Sequence, residues 1–234
     1  MIYMIRHGQA SFGRRNYDRI SPLGIRQSRI LGEYLVHTGL RFDAVYSWKL
    51  ERQQATAREV IACYREGGLD IPDVIFSEAL NEFDSKAVIM AQVPDMVREN
   101  PGVTKDIENI YTDRKSFQKV FEEAVLRWIS GKYQKTGLEP WQDFSSRVCG
   151  GIRMIIAEQG RGKKISLFTS GGAISALLQN SLSLPAEQAI RLSWQIINTS
   201  VTRFMYDDER ITLAGFNMIS HLELQKDPSL ITYR

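Results

Sequence analysis

Short apolar segments that alternate with longer helical patterns are the feature of this 234-residue chain that most restricts its fold. Apolar runs of about five residues are typical of buried strands. Six segments are predicted as strands, at residues 1–5, 43–47, 73–77, 164–169, 201–206 and 210–216. Strands that alternate with helices form sheets covered on both faces. We therefore expect an α/β fold with a mostly parallel central sheet of about six strands and helices on both faces.

The helical patterns lie between these segments. Ser21 and Pro22 suit the N-cap and first turn of a helix that closes near Gly39. Further helices are predicted at residues 50–64, at 141–158 and from the Gly171-Gly172 turn through Leu178. Between about 85 and 140 the alternation stops and helical patterns follow one another. We interpret this stretch as a helical lobe inserted into a single domain of residues 1–234.

The composition restricts the class of protein. A hydrophobic fraction of 43% and a charged fraction of 24% exclude a disordered or fibrous chain, and a net charge of +3 by itself indicates no nucleic-acid partner. No apolar run approaches the ~20 residues of a membrane helix, and the first residues do not resemble a secretory signal. Two cysteines cannot form a disulfide framework. We expect a cytoplasmic protein without a membrane partner, and the sequence leaves the oligomeric state open.

The residues that suggest chemistry come at the ends of the predicted strands. Arg6 and His7 follow the first strand, and Arg52 lies just beyond the second. Glu82 comes after the third, and the turn 169–172 (TSGG) follows the fourth. Ligands of open α/β sheets bind beyond the carboxyl ends of the strands. Two guanidinium groups, an imidazole and a carboxyl group that meet there would suit phosphoryl transfer.

Several segments carry a resemblance to a known family. Arg6-His7-Gly8 resembles the RHG signature of the histidine phosphatase superfamily, also called the phosphoglycerate mutase-like family. Further similarities follow in the same order: 20–24 (ISPLG) with Gln27 to LTxxG…Q, 47–57 (SWKLERQQATA) to SSPLxRAxQTA, 80–82 (LNE) to LxE, and 168–178 (FTSGGAISALL) to VSHGGxIRALL. RHG alone is a weak signature, whereas the ordered set is specific. The matches cover residues 1–84 and 165–222, and the middle segment has none.

The resemblance implies a phosphoglycerate mutase-like fold and a mechanism. His7 would accept the phosphoryl group as phosphohistidine, and water would then release it. Arg6 and Arg52 would bind the phosphoryl oxygens, and Glu82 would protonate the leaving group. No metal or other cofactor is implied, and three scattered histidines do not suggest a zinc site. The substrate would be a phosphorylated small molecule or a phosphoprotein.

The chain departs from the family pattern at two positions. Ser170 stands where the family has its second catalytic histidine, and Gly13 stands where many members have asparagine. Losing one preorganised donor typically lowers a rate by ~10²–10³-fold. Ser170 and the amides of Gly171 and Gly172 at a helix N-terminus could still bind phosphate. His221, after the last strand, is expected to pack in the tail, with completion of the site as the alternative.

Three other functions remain open at this stage. The first is a mutase-type phosphotransfer, and the second is a phosphate-binding homologue with weak or no turnover, which Ser170 suggests. The third is a serine hydrolase, because Ser170, Asp207 or Asp208, and His221 follow the chain order of α/β hydrolases. The turn lacks the first glycine of GxSxG, which counts against the third.

Overall fold

The computed structural model describes residues 1–11, 18–78 and 81–233. Gly13 and Leu80, to which the family resemblance drew attention, lie outside these residues. The strands are β1 (Ile2–Arg6), β2 (Ala44–Ser47), β3 (Val74–Phe76), β4 (Ile165–Thr169), β5 (Val201–Tyr206) and β6 (Ile211–Met218). Each lies at one of the six predicted segments.

The strands form one sheet in the order β3-β2-β4-β1-β5-β6. The first four are parallel, whereas β5 runs antiparallel to β1 and β6 antiparallel to β5. The expectation of a mostly parallel six-stranded sheet is confirmed. Because β1 lies between β4 and β5, its carboxyl end is at the centre of the molecule. This is where the residues after β1 and β4 come together.

The helices in the described residues are α1 (Pro22–His37), α2 (Glu51–Glu66), α3 (Ser85–Glu99), α4 (Thr104–Glu108), α5 (Arg114–Ile129), α6 (Trp141–Gln159), α7 (Gly171–Leu182), α8 (Ala186–Ser193) and α9 (Ser220–Glu223). Ser21 caps α1 by accepting a hydrogen bond from the Gly24 amide, as its position predicted. α7 continues four residues past the predicted end at Leu178. The sequence reasoning did not identify α8.

Alternate residues of the strands pack against different helices, since successive side chains of a strand point to opposite faces. Tyr3 and Ile5 contribute to a hydrophobic cluster with residues of α1 and α2. Ile2 and Met4 contribute to a larger cluster with residues of α5, α6 and α7. Helices therefore cover both faces of the sheet, as expected.

Residues 85–129 bury a smaller cluster of their own. Ile89 and Met96 of α3 pack with Val120 and Ala124 of α5. α5 also joins the main core, because its last turns contribute Val125 and Trp128 to the cluster under the sheet. α5 is consequently held rigidly beside the carboxyl ends of the strands.

Two findings concern the compartment. Cys63 and Cys149 are both buried and free. In the described part of the chain, no helix is both long enough and apolar enough to cross a membrane.

Candidate active site

His7 lies on the loop that leaves β1, with its imidazole in one defined orientation. The His7 amide donates to the Thr169 carbonyl over 2.8 Å, which extends the pairing of β1 with β4. The ring Nδ1 lies 2.8 Å from the carbonyl oxygen of Gly8, and Arg52 Nε donates to the ring Nε2 over 3.1 Å. Nδ1 must therefore carry the ring proton, and Nε2 keeps its lone pair. The structure presents Nε2 as the nucleophilic nitrogen.

The loop that carries His7 is fixed by several backbone contacts. The Gly8 amide donates to Thr56 Oγ1 over 2.9 Å, and a Cβ on Gly8 would lie 2.5 Å from the Gly24 carbonyl oxygen. Asn198 Nδ2 donates to the His7 carbonyl over 3.0 Å, and the Thr199 amide donates to the Arg6 carbonyl over 3.1 Å. Only glycine permits so close an approach to α1.

Thr199 itself is in an unusual conformation. Its φ of 62° lies in the left-handed region, which a β-branched residue rarely adopts. Such a conformation costs on the order of 1–3 kcal/mol and persists where surrounding contacts over-determine it. Here the hydrogen bond from the Thr199 amide to Arg6 holds it beside the catalytic loop.

Both predicted phosphate arginines face the same cavity as His7. Arg52 lies in the first turn of α2, and its Nη1 is 2.6 Å from Asp18 Oδ1. Asp18 also accepts a hydrogen bond from the Glu51 amide over 2.7 Å, so it fixes the start of α2 together with the guanidinium. Arg6 Nη1 donates to the Ile196 carbonyl. Sequence reasoning did not identify Asp18, because an acid on an irregular segment gives no periodic signal.

The two guanidinium groups also set the charge of the imidazole. Burial lowers the pKa of His7 well below its usual 6.5, and the positive charges of Arg52 and then Arg6 lower it further. His7 is therefore neutral at physiological pH. A neutral imidazole between two cations is arranged for attack on an anion.

Glu82 reaches the same cavity from the segment after β3. Burial raises the pKa of Glu82 above its usual 4.5, and this outweighs the opposing effects of Arg52 and of the amides of Phe83, Gly172 and Ala173. Its Oε2 is shielded from solvent and has no hydrogen-bond partner in the described part of the chain. A carboxyl group with a raised pKa can hold a proton for a leaving group.

The position of Glu82 depends on Gly172 and Arg147. The carboxyl group accepts hydrogen bonds from amides in the first turn of α7, where a Cβ on Gly172 would overlap Oε1. Arg147 donates to the Asn81 carbonyl over 3.0 Å and forms a two-point ion pair with Glu139. The expectation that the Gly172 amide binds phosphate is therefore wrong, because that amide binds Glu82. Gly171 still lines the cavity.

Ser170 lies at the N-cap position of α7 and faces the cavity, but its side chain does not cap the helix. Instead its Oγ accepts a hydrogen bond from Gln53 Nε2 over 2.7 Å. Both residues are almost fully buried. Because Gln53 uses an oxygen lone pair, the hydroxyl proton of Ser170 is available to a ligand. Gln53 is a residue that the sequence reasoning missed.

His221 does not complete this cavity. Its Nε2 lies 3.0 Å from Thr199 Oγ1, and it lines a separate cavity beside α1. Asp208 pairs with Arg161 at the turn between β5 and β6. Ser170, Asp208 and His221 thus have different partners, and the serine hydrolase hypothesis is wrong.

Aromatic side chains form the outer wall of the cavity, whose volume is about 140 Å³. α5 supplies Phe117 and Phe121, which stack with ring centroids 5.7 Å apart. The remaining aromatic residues of the wall are Phe83, Trp194 and Tyr233. Trp194 Nε1 is shielded from solvent and has no hydrogen-bond partner among the described residues. Within those residues there is also no cluster of His, Cys, Asp or Glu that could hold a metal ion.

Comparison with known proteins adds independent findings. Residues 2–219 match the sequence profile of the Histidine phosphatase superfamily (branch 1). A 2,3-bisphosphoglycerate-dependent phosphoglycerate mutase of Parvibaculum lavamentivorans is 31% identical over 68% of this chain and 74% of its own length. A broad-specificity phosphatase of Saccharomyces cerevisiae is 24% identical over 94% of this chain and 86% of its own. A phosphoserine phosphatase of Entamoeba histolytica, solved with phosphoserine, superposes with a TM-score of 0.64 at 18% identity, covering 94% and 98% of the two chains.

Proposed function

The chain belongs to the histidine phosphatase superfamily, and from this we propose that it is a phosphatase that hydrolyses a phosphate monoester through a phosphohistidine on His7. One observation carries the proposal. His7 Nε2, unprotonated and neutral, faces a cavity that Arg6, Arg52 and Glu82 also line. Nucleophile, anion clamp and proton donor are thus within one site.

In the first step the lone pair of His7 Nε2 attacks phosphorus. The P–N bond forms as the bond from phosphorus to the leaving oxygen breaks, and Glu82 gives its proton to that oxygen. Arg52 Nε, which donates to Nε2 in the empty site, would turn its N–H groups to the phosphoryl oxygens together with Arg6. Positioning and charge neutralisation supply most of the rate in phosphoryl transfer.

In the second step water replaces the imidazole. Glu82, now a carboxylate, takes a proton from the water as its oxygen bonds to phosphorus and the P–N bond breaks. This returns His7 to its neutral form and Glu82 to its protonated form. Dividing the transfer into two displacements lowers the barrier of each.

Ser170 takes a donor's place in this scheme. Its hydroxyl proton would donate to a phosphoryl oxygen while Gln53 holds the oxygen in place. A serine supplies no charge, so the developing negative charge is offset by Arg6, Arg52 and the Gly171 end of α7. We expect phosphate affinity to be less affected by the serine than turnover.

The substrate is proposed to be a phosphorylated small molecule with an apolar leaving group. Phe117 and Phe121 of α5 face the cavity, with Gln118 between them and Ser85 of α3 beside them. Aromatic rings favour apolar or ring-shaped groups, and the free Trp194 Nε1 could donate to one polar atom. The lobe at about 85–140 of the single domain 1–234 would then determine specificity. The free cysteines support the further proposal of a cytoplasmic enzyme.

Phosphohistidine trapping tests the proposal. Brief incubation with a radiolabelled phosphate monoester should label the protein in an acid-labile, base-stable form, and phosphate should be released. His7→Ala should abolish both, whereas His37→Ala, at an exposed histidine of α1, should change neither. Absence of label and of phosphate release across a panel of aryl and alkyl phosphates would contradict a phosphatase and favour a phosphate-binding homologue.

Mutase-type phosphotransfer is the second candidate, because one relative with 31% identity is a phosphoglycerate mutase. The two activities differ in what becomes of 3-phosphoglycerate. A phosphatase releases inorganic phosphate in proportion to substrate loss, whereas a mutase yields 2-phosphoglycerate with little release. The aromatic wall favours the first result.

A further inference from the structure

A second cavity, of about 290 Å³, lies between the C-terminal half of α1 and the face of β1 and β5 that packs towards α1. It shares no described lining residue with the candidate active site. Its polar groups include those of Tyr3, Tyr34, Lys164, Arg203, Ser220 and His221.

Arg203 is the central charged residue of this cavity. Within the described residues, no carboxylate forms an ion pair with it, and its Nε is shielded from solvent without a hydrogen-bond partner. Gly215 lies opposite it on β6, and a Cβ there would be only 3.4 Å from Nε. The glycine therefore leaves space for the guanidinium beside the strand. A partly buried arginine without an acidic partner is costly unless an anion completes it.

The other polar groups leave the cavity positively charged. Lys164 adds an exposed ammonium group at the edge, and none of the described lining residues is an aspartate or glutamate. Burial lowers the pKa of His221 to about 4, so this ring is neutral. The two charges, from Arg203 and Lys164, are therefore both positive.

The rest of the lining is apolar. Leu35 and Leu40 contribute from the α1 side, and Val201 and Met218 contribute from the sheet. The rings of Tyr3 and Tyr34 add aromatic surface. An occupant that satisfied the two cations would also cover this apolar surface with its body.

We propose that this cavity is a second binding site, which takes a small organic anion with a carboxylate or phosphate head group on Arg203 and Lys164 and an apolar ring or chain against α1. The proposal does not depend on the phosphatase reaction, since it uses none of the active-site residues. His221 links the cavity to the catalytic loop, because its Nε2 contacts Thr199, whose amide binds the Arg6 carbonyl.

Amide NMR titration of the full chain with phenylphosphonate and, separately, benzoate tests the proposal. Phenylphosphonate cannot be hydrolysed, and the two probes distinguish a phosphate-like head group from a carboxylate. We expect saturable shifts at the amides of Tyr34, Gly39 and Thr202 with at least one probe. Arg203→Gln should weaken the binding by ~10-fold or more, as expected for the loss of charged hydrogen bonds.

Lys164→Gln provides a second variant in case Arg203→Gln does not fold, because Lys164 is exposed. It should also weaken binding. Arg210→Gln is the matched control, since Arg210 is exposed at the turn before β6, and it should bind as the unmodified chain does. No shift at these amides with either probe, or equal affinity in the Lys164 and Arg203 variants, would overturn the proposal. Shifts confined to the amides of His7 and Ser170 would place the probe in the active site and would also overturn it.

Discussion

Gln53 donates a hydrogen bond from its side-chain amide to the hydroxyl oxygen of Ser170 over 2.7 Å. Each residue differs from the family pattern that the sequence resembles. Ser170 stands in place of a histidine, and Gln53, directly after Arg52, stands in place of the alanine of SSPLxRAxQTA. The longer amide side chain occupies space beside the shorter serine. We interpret the two as a compensating pair that keeps one hydrogen-bond donor directed at the phosphoryl group.

A double-mutant cycle tests the coupling of this pair. Ser170→Ala should lower kcat by ~10²-fold, since it removes a preorganised donor. Gln53→Ala should lower kcat by ~10-fold in the unmodified chain, because the hydroxyl loses its fixed orientation, but should have little further effect in Ser170→Ala. Steady-state kinetics of the four proteins measures the coupling. Additive effects would mean that Gln53 acts independently of Ser170.

Restoring the family histidine requires a second change. Ser170→His alone should not raise turnover, since Ser170 and Gln53 are almost fully buried 2.7 Å apart and an imidazole would overlap the amide. Gln53→Ala combined with Ser170→His makes the space, and we expect its kcat to exceed that of the unmodified chain. The inhibition constant of inorganic phosphate should change less than kcat. A higher kcat in the single histidine variant would contradict the steric argument.

The raised pKa of Glu82 predicts a dependence on both pH and leaving group. The reactive form holds Glu82 protonated and His7 neutral, and the pKa of His7 is low. For phenyl phosphate, kcat/KM should therefore fall as pH rises through the pKa of Glu82. Glu82→Gln should lose ~10²–10⁴-fold of this activity, together with the fall. With 4-nitrophenyl phosphate, whose leaving group needs no proton, the loss should be much smaller, and an equal loss with both substrates would contradict the role of Glu82.

The sequence predicts the sheet well because its strands are buried apolar runs, and their carboxyl ends bring Arg6, His7 and Arg52 into one cavity. It does not predict the contact of Gln53 with Ser170, which are 117 positions apart. A polar residue next to Arg52 on a helix also gives no signal that both side chains face the site. The carboxyl group of Glu82 at the start of α7 was missed for a similar reason, since a glycine-rich turn looks equally suited to phosphate.

His221 predicts a loss of stability in acid. Burial lowers its pKa to about 4 in the folded chain, below the 6.5 of an unfolded histidine. The unfolded chain therefore binds more protons between these values, so the free energy of unfolding falls as pH drops from 6.5 towards 4. His221 should account for about 3 kcal/mol of this fall. In His221→Gln the fall from pH 7 to pH 4.5, measured by denaturant unfolding, should be smaller, whereas the exposed His37→Gln should behave as the unmodified chain does.

Gly171 and Gly172 are adjacent in the first turn of α7 but should respond oppositely to alanine. At Gly172 a Cβ would overlap Glu82 Oε1 and lie 2.6 Å from Phe83 Cε1, whereas at Gly171 the nearest atoms, in Ser193, are 3.5 Å away. Gly172→Ala should displace the carboxyl group and lower kcat/KM for phenyl phosphate by ~10²-fold or more, as expected for loss of a general acid. Gly171→Ala should retain activity to within several-fold.

A third substitution separates this local effect from helix propensity. Gly150, in the middle of α6, has open space where a Cβ would lie, so Gly150→Ala should raise the free energy of unfolding by ~0.5–1 kcal/mol without changing kinetics. Thermal unfolding and kinetics of the three variants together check the argument. If Gly172→Ala retained a Glu82-dependent preference for poor leaving groups, the carboxyl group would not depend on the space that Gly172 leaves.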